Sequence, residues 1–462
     1  MKTGYHFFQK MAVGLTKKEI SGSASVRAAT SHPAPDLPPR GARVTLSYPG
    51  KMEESAIIES MDANFLEMVG GSLKAVDSIS NNSFVWSDNL LALNRLVTSK
   101  RKAKLIYLDP PYATGMGFSN RANEHAYDDF LSDAAYLEFM RRRMILMREL
   151  LDEDGTIYVH IGHQMLGEIK FLLDEIFGRD KFINLITRKK CSSKNSTKNN
   201  FANLNDYIIV YSKGKNYIWN RPTKNPDSEW LAREYPKVDG KGQYKLVPIH
   251  APGTRKGATG ERWKGMMPPP GKHWQYTPEK LDILDAAGDI HWSKTGNPRR
   301  KVYLTPEKTL GYTDYWDEFR DAHHQSILVT GYPTEKNFEM MKLIVSASSN
   351  EGDLVIDPFC GSGSTLHAAS VLNRQWIGID ESLAAAKAVM KRMHHGRAPM
   401  GDFVNSTMNH EAEPLTLFNA AVRHESVTDD VSVYVEAVTA SSTKGGLEDL
   451  QQVYRDLKAS HT

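Results

Sequence analysis

Residues 104–115 read KLIYLDPPYATG, an apolar run of Leu105, Ile106, Tyr107 and Leu108 that breaks at an acid, two prolines and an aromatic ring. Pro110 and Pro111 remove ladder donors and fix φ, so the run predicts a buried strand whose carboxyl end presents Asp109 and Tyr112 on a stiff turn. A carboxylate and a proline carbonyl held there can accept hydrogen bonds from a reacting group, and the ring can stack on a planar one. A buried, paired structural acid is the competing reading of Asp109.

A second constellation lies at 353–370, DLVIDPFCGSGSTLHAAS. It reads as strand, glycine turn and helix. Gly361 and Gly363 let the backbone turn tightly and approach a ligand, and the helix start offers free N–H groups to an anionic moiety. Farther on, WIGID ends a strand in Asp380, where an acid in nucleotide-binding α/β folds takes ribose hydroxyls. No lysine follows the glycines, which argues against a triphosphate loop, and the dinucleotide fingerprint lacks its third glycine.

Strands must position both loops. SFVW (83–86), GTIYVHIG (155–162) and DYIIVYSKG (206–214) read as strands; the segments after the Ser87-Asp88-Asn89 turn and after the cap Ser132, and HQMLGEIKFLLDEIFG (163–178), read as helices, and Met140, Met144 and Met147 of the second read as core. Strands alternating with helices predict an α/β fold on a mainly parallel sheet. Between about 187 and 325 periodicity dissolves into turns such as APGTRKGATG and PPPGK, the mark of an inserted domain. The expected divisions are an arm or linker over 1–75, a first catalytic part over 76–187, an insert over 188–325, a second catalytic part over 326–400 and an extension over 401–462. The arm is rich in Ser, Ala and Pro, and its few basic residues leave contact with nucleic acid open.

The chain has 462 residues, 40% of them hydrophobic and 24% charged, as in ordinary soluble proteins. No membrane span or secretory leader is legible, so a cytoplasmic location is expected. Cys191 and Cys360 show no metal-ligand spacing, so reduced thiols and no metal are expected. The net charge of +3 hides an asymmetry: residues 188–301 hold 23 Lys and Arg against 10 Asp and Glu, +13, which leaves −10 elsewhere. Five of the eight tryptophans, Trp219, Trp230, Trp263, Trp274 and Trp292, fall in that segment. Such a segment suits a polyanion, although each tryptophan by itself reads as core. Arg188, Lys189, Lys190, Lys194 and Lys198 are expected at phosphates, and Arg255, Lys256 and Arg262 on a loop that reaches base edges.

Asp109-Pro110-Pro111-Tyr112 together with Phe359-Cys360-Gly361-Ser362-Gly363 resembles the amino-methylating DNA methyltransferases, which use S-adenosylmethionine and share a Rossmann-like fold. The order along the chain, acid motif first and glycine motif second with a basic insert between, is similar to the permuted β group, which includes the modification subunits of type III restriction systems. WSDNL (86–90) stands where that group has GDNL, and YPTEKN (332–337) where it has HPTQKP, with Tyr332 and Asn337 departing. The likeness covers about 83–215 and 327–395.

The resemblance implies methyl transfer to N6 of an adenine swung out of duplex DNA. Adenine N6 is a poor nucleophile because its lone pair is delocalised. Asp109 and the Pro110 carbonyl, at its two hydrogens, would localise that pair, while Tyr112 stacks on the base. It places the cofactor along Asp357, Pro358, Phe359, Gly361, Gly363 and Thr365, with the ribose at Asp380 and further contacts at Asp88, Thr334 and Lys336. Asp88 reads equally as a helix cap. Cys360 is a spacer. The acid in DPPY favours adenine, since N4-cytosine relatives more often carry Ser there; N4-cytosine methylation and an inactive DNA-binding module are the alternatives. Homodimerisation, a restriction subunit as partner, and the target sequence stay open.

Overall fold

The computed structural model describes residues 44–59, 63–69, 72–111, 117–119, 125–128, 133–191, 199, 201–321, 328–329, 335–395, 398–399 and 431–459. Tyr112, Lys194, Lys198 and Thr334 lie outside them. The strands of the main sheet are β1 (Phe65–Val69), β2 (Ser72–Val76), β3 (Ser83–Trp86), β4 (Ala103–Leu108), β5 (Leu151–Ile161), β6 (Phe182–Lys189), β7 (Asn205–Ser212), β8 (Tyr315–Trp316), β9 (Leu354–Asp357), β10 (Gln375–Asp380) and β11 (Ser432–Glu436). They lie in the order β8-β6-β7-β5-β4-β9-β10-β3-β11-β1-β2.

Six adjacent strands, β5-β4-β9-β10-β3-β11, run parallel to their neighbours. A parallel sheet needs cover on both faces, which is why β4 has no polar alternation. Ile106 and Leu108 pack with Leu93 of α1 (Asn89–Thr98), Met144 of α2 (Asp133–Leu150) and Leu172 of α3 (Leu166–Phe177). Leu105 and Tyr107 point the other way, to Met341 of α4 (Phe338–Ser348), Leu366 of α5 (Ser364–Val371) and Met390 of α6 (Leu383–His395). Each such side chain contributes about 1.5–3 kcal/mol on burial. Met140, Met144 and Met147 are fully buried, as expected of core.

The α/β expectation holds, and three boundaries shift. β1 and β2 lie within the expected arm and yet pair as a hairpin, with β1 also bonded to β11. β11 comes from the expected C-terminal extension and inserts between β3 and β1, because its buried Val433, Tyr434 and Val435 complete the sheet. β6 runs through residue 188, the expected start of the insert, and β7 follows it; β7 pairs antiparallel with β5 and β6 antiparallel with β7, so both extend the sheet. The insert has its own four-stranded antiparallel sheet, Lys237–Asp239, Gly242–Pro248, Pro298–Tyr303 and Ile290–Trp292. Its small core holds Ile249, Trp263, Trp274, Leu281 and Ile290. Trp263 and Trp274 are thus core, whereas Trp219 is 51% exposed.

A chain ended at residue 400 loses the strand between β3 and β1. Its urea midpoint should fall well below that of the full chain; an unchanged midpoint would refute the structural role of β11.

Candidate active site

β4 and β9 are direct parallel neighbours, with Leu105 opposite Val355 and Ile106 opposite Ile356. Neighbouring strands lie about 4.8 Å apart, so the two loops that leave their carboxyl ends emerge side by side. Asp109 follows one strand and the Phe359–Gly363 turn the other, although some 250 positions separate them in the sequence. This is the topological position at which open α/β sheets hold ligands.

The glycine turn is built by its own backbone. Gly363 has φ of 75° and caps α5; a Cβ there would also meet Val389 Cγ2 at 3.0 Å. Asp380 tightens the turn, accepting from Gly361 N–H at 2.9 Å through one oxygen and from Ser382 N–H at 2.9 Å through the other. Burial pushes its carboxyl up to about 6, and those two amides oppose the rise. Asp357 is only 2% exposed. Burial pushes it up to about 7, opposed by the Thr365 hydroxyl and the Phe359 N–H and reinforced by the charges of Asp109 and Asp380. Cys360 is buried, which drives its thiol pKa upward and suits a spacer.

The acid motif is clamped from α2. Tyr136 donates its hydroxyl to the Pro111 carbonyl at 2.6 Å. Asn89 donates to the Pro358 carbonyl at 2.7 Å and accepts from Arg143, so one side-chain pair ties α1 and α2 to the start of the glycine turn. Arg143 lies over Phe139, its guanidinium carbon 3.5 Å from the ring centre, and donates to Asp88 at 3.0 Å. Its guanidinium is pulled down to about 10 by burial, with Asp88 and Glu381 opposing. Asp88 accepts from Leu90 N–H at 2.6 Å, so the cap reading is realised, and it remains half-exposed.

Lys336, expected at the cofactor, closes on Oδ2 of Asp109. Its neighbour Glu335 is buried in an ion pair with Arg392, which also donates to Ser364 at 3.0 Å, so this loop is pinned to the start of α5. Asn337, where the resembled pattern has proline, caps α4 by accepting from Met340 N–H at 3.1 Å. That cap is a local reason for the departure.

Arg188 does not face solvent. It is fully buried, donating to the Phe319 carbonyl at 2.7 Å, to Asp206 at 2.8 Å and to Asp321 at 2.7 Å. The expected phosphate contact at Arg188 is therefore wrong: strand β6 turns this side chain inward to fasten the two ends of the insert. Lys189 and Lys190 are half-buried, whereas Arg255, Lys256 and Arg262 are exposed. Arg262 also donates to the Gly265 carbonyl at 3.1 Å.

Sequence reasoning passed over Tyr136, Asn89, Arg143, His160 and Asp206. The available signal was a polar side chain within an apolar stretch, as His160 stands in TIYVHIG. Among the described residues no helix is long and apolar enough to cross a membrane, and no cluster suited to a metal ion occurs.

A family model described as DNA methylase, of the N6 and N4 type, matches residues 103–391. The chain is 74% identical over 451 residues to the type II methyltransferase M.EcaI of Enterobacter cloacae, covering 97% of this chain and all of that one. It is 32% identical over 369 residues to the EcoP15I Mod subunit of an Escherichia coli type III restriction-modification enzyme, covering 64% of this chain and 57% of that protein. Among solved structures, M1.HpyAVI aligns over 67% of this chain and 98% of its own at 15% identity, with a TM-score of 0.37.

Replacing Arg188 with alanine leaves Asp206 and Asp321 without their cation, and stability should drop by about 3–5 kcal/mol in urea titration. Arg255→Ala and Lys256→Ala should leave the urea midpoint in place and each lower the salt slope of DNA binding by about 1. Equal effects of all three changes on stability would contradict this division.

Proposed function

The chain belongs to the DNA methylase family, enzymes of the restriction-modification type, and from that premise we propose that it transfers a methyl group from S-adenosylmethionine to N6 of an adenine turned out of duplex DNA. The observation that carries the reading is the β4–β9 pairing, which brings an acceptor-bearing turn and a cofactor-type turn to one edge of the sheet.

The residues present fit the cofactor. The turn at Gly361 and Gly363 has the positive φ values of a backbone that can approach a ligand closely. Asp357 is a buried carboxyl pushed up to about 7 and would be relieved by a neighbouring cation. When bound, the cofactor supplies a sulfonium-activated methyl group and positive charge. Asp357, Phe359, Gly361, Gly363 and Thr365 would line its methionine portion, and Asp380, already holding the turn, would offer its remaining lone pairs to the ribose.

Asp109 and the Pro110 carbonyl would accept from the two amino hydrogens of the target base. Those bonds concentrate the nitrogen lone pair and stabilise the positive charge that grows on nitrogen as the methyl group arrives. Tyr136, through the Pro111 carbonyl, stiffens the turn that aims both acceptors. Lys336 must share or yield the Asp109 carboxylate when the base enters. A carboxylate at the first position of the motif supports adenine over cytosine. DNA would be gripped by exposed cations of the insert, Arg255, Lys256 and Arg262 among them, with Lys189 and Lys190 nearer the sheet.

Transfer of labelled methyl to duplex DNA followed by nucleoside analysis tests the reading: label in N6-methyladenosine is expected, and label in N4-methylcytosine overturns the base assignment. Asp109→Ala should abolish transfer and keep S-adenosylmethionine binding within about twofold; equal loss of both refutes the division of roles. A cation on Asp357 favours its ionised form, so binding must displace a proton where the group is neutral, below about 7. Affinity for S-adenosylmethionine should therefore rise by up to about tenfold from pH 6 to pH 8, with proton release in calorimetry, and Asp357→Asn should flatten that dependence.

A further inference from the structure

Behind the acid motif, β5 carries a histidine in the apolar run Ile157, Tyr158, Val159 and Ile161. His160 is fully buried. Its Nδ1 lies 2.7 Å from the Tyr107 hydroxyl and 4.0 Å from Asp109 Oδ1. Its Nε2 lies 3.1 Å from Asp206 Oδ2 at the start of β7. Asp206 is bonded in turn to Arg188, which closes on Phe319 and Asp321 at the far end of the insert. A chain of polar side chains thus runs from Asp109 just past β4, through β5 and β7, to β6.

Stability does not account for this chain. Buried ionisable groups cost desolvation that pairing only repays, and an apolar side chain in β5 would serve the core at lower cost. The geometry at Asp109 suggests what the chain does. Oδ2 is taken by Lys336 and Oδ1 faces His160 at 4.0 Å, so the two groups flank the carboxylate.

We propose that His160 is a positioning residue for methyl transfer, orienting the Asp109 carboxylate from behind the sheet and linking that orientation, through Asp206 and Arg188, to the root of the inserted domain. The inference rests on the reading of Asp109 as acceptor for the target amino group. The charged and titratable groups around His160 are Tyr107 on β4, Asp109 just after it, Asp206 on β7, Arg188 on β6 and Lys336 before α4. Burial alone would raise Asp206; His160, Arg188 and Lys336 together outweigh it and hold the carboxyl below the usual range, so the cluster keeps an ionised partner for the imidazole. A small rotation of the acceptor is enough to matter, because displacement of a reacting group by about 1 Å can cost on the order of 100-fold in rate.

The test separates the two sides of the ring. Asparagine places a polar group near the Nδ1 position, toward Tyr107 and Asp109, whereas glutamine reaches the Nε2 position, toward Asp206. His160→Ala should lower kcat by about 10- to 100-fold, with KM for duplex DNA and the Kd for S-adenosylmethionine within about twofold. His160→Asn should restore most of kcat and His160→Gln should not. Tyr107→Phe keeps the core volume, and should lower kcat by about 3- to 10-fold at an unchanged melting temperature. A wild-type kcat in the alanine variant, rescue by glutamine equal to that by asparagine, or losses that follow melting temperature across the set each overturn the proposal. The base methylated by the wild-type enzyme is read separately by nucleoside analysis, so a wrong target base is told apart from a wrong role for His160.

Discussion

The pairing of β4 with β9 is the constraint on which the rest of the structure depends. Two short apolar strands, far apart in the chain, lie parallel and share a register, and whatever follows each must leave the sheet at the same edge. The loop chemistry can differ completely because the strands fix only position. One loop carries a carboxylate stiffened by prolines, the other a backbone turn opened by glycines. Neither needs to bind the other, since both are delivered by hydrogen bonds and buried aliphatic surface behind them.

That delivery is reinforced where the loops begin. Arg143, Asn89 and Asp88 join two helices to the glycine turn, and Tyr136 holds the acid motif from the same helix as Arg143. On the opposite face, Arg392 and Glu335 fasten the Lys336 loop to α5. Apart from the half-exposed Asp88, these clamps are polar and mostly buried, so each member depends on its partner. They make the site stiff at the expense of tolerance to substitution.

The insert is attached by the same means. Its basic character suits a polyanion, but Arg188, on β6 of the main sheet, turns inward to Asp206, Asp321 and the Phe319 carbonyl. Charge in this region therefore divides in two, a few residues that face inward to the sheet and others, Arg255 and Lys256 among them, that remain exposed. A net charge cannot tell these apart.

Local sequence determined the elements that carry the chemistry. The unbroken apolar run before Asp109, the prolines after it and the two glycines after Phe359 each dictate backbone behaviour over a few residues, so strand, stiff turn and glycine turn were legible without coordinates. The methionines of α2 were legible as core for the same reason, spacing on one helical face. Tertiary structure decided everything that depends on distant partners: that β1, β2 and β11 join the sheet, that Arg188 is buried, that Lys336 meets Asp109 and that His160 stands behind it. A short strand or a single cation has the same local pattern wherever it ends up, and only the free energy of its packing against residues elsewhere in the chain selects its place.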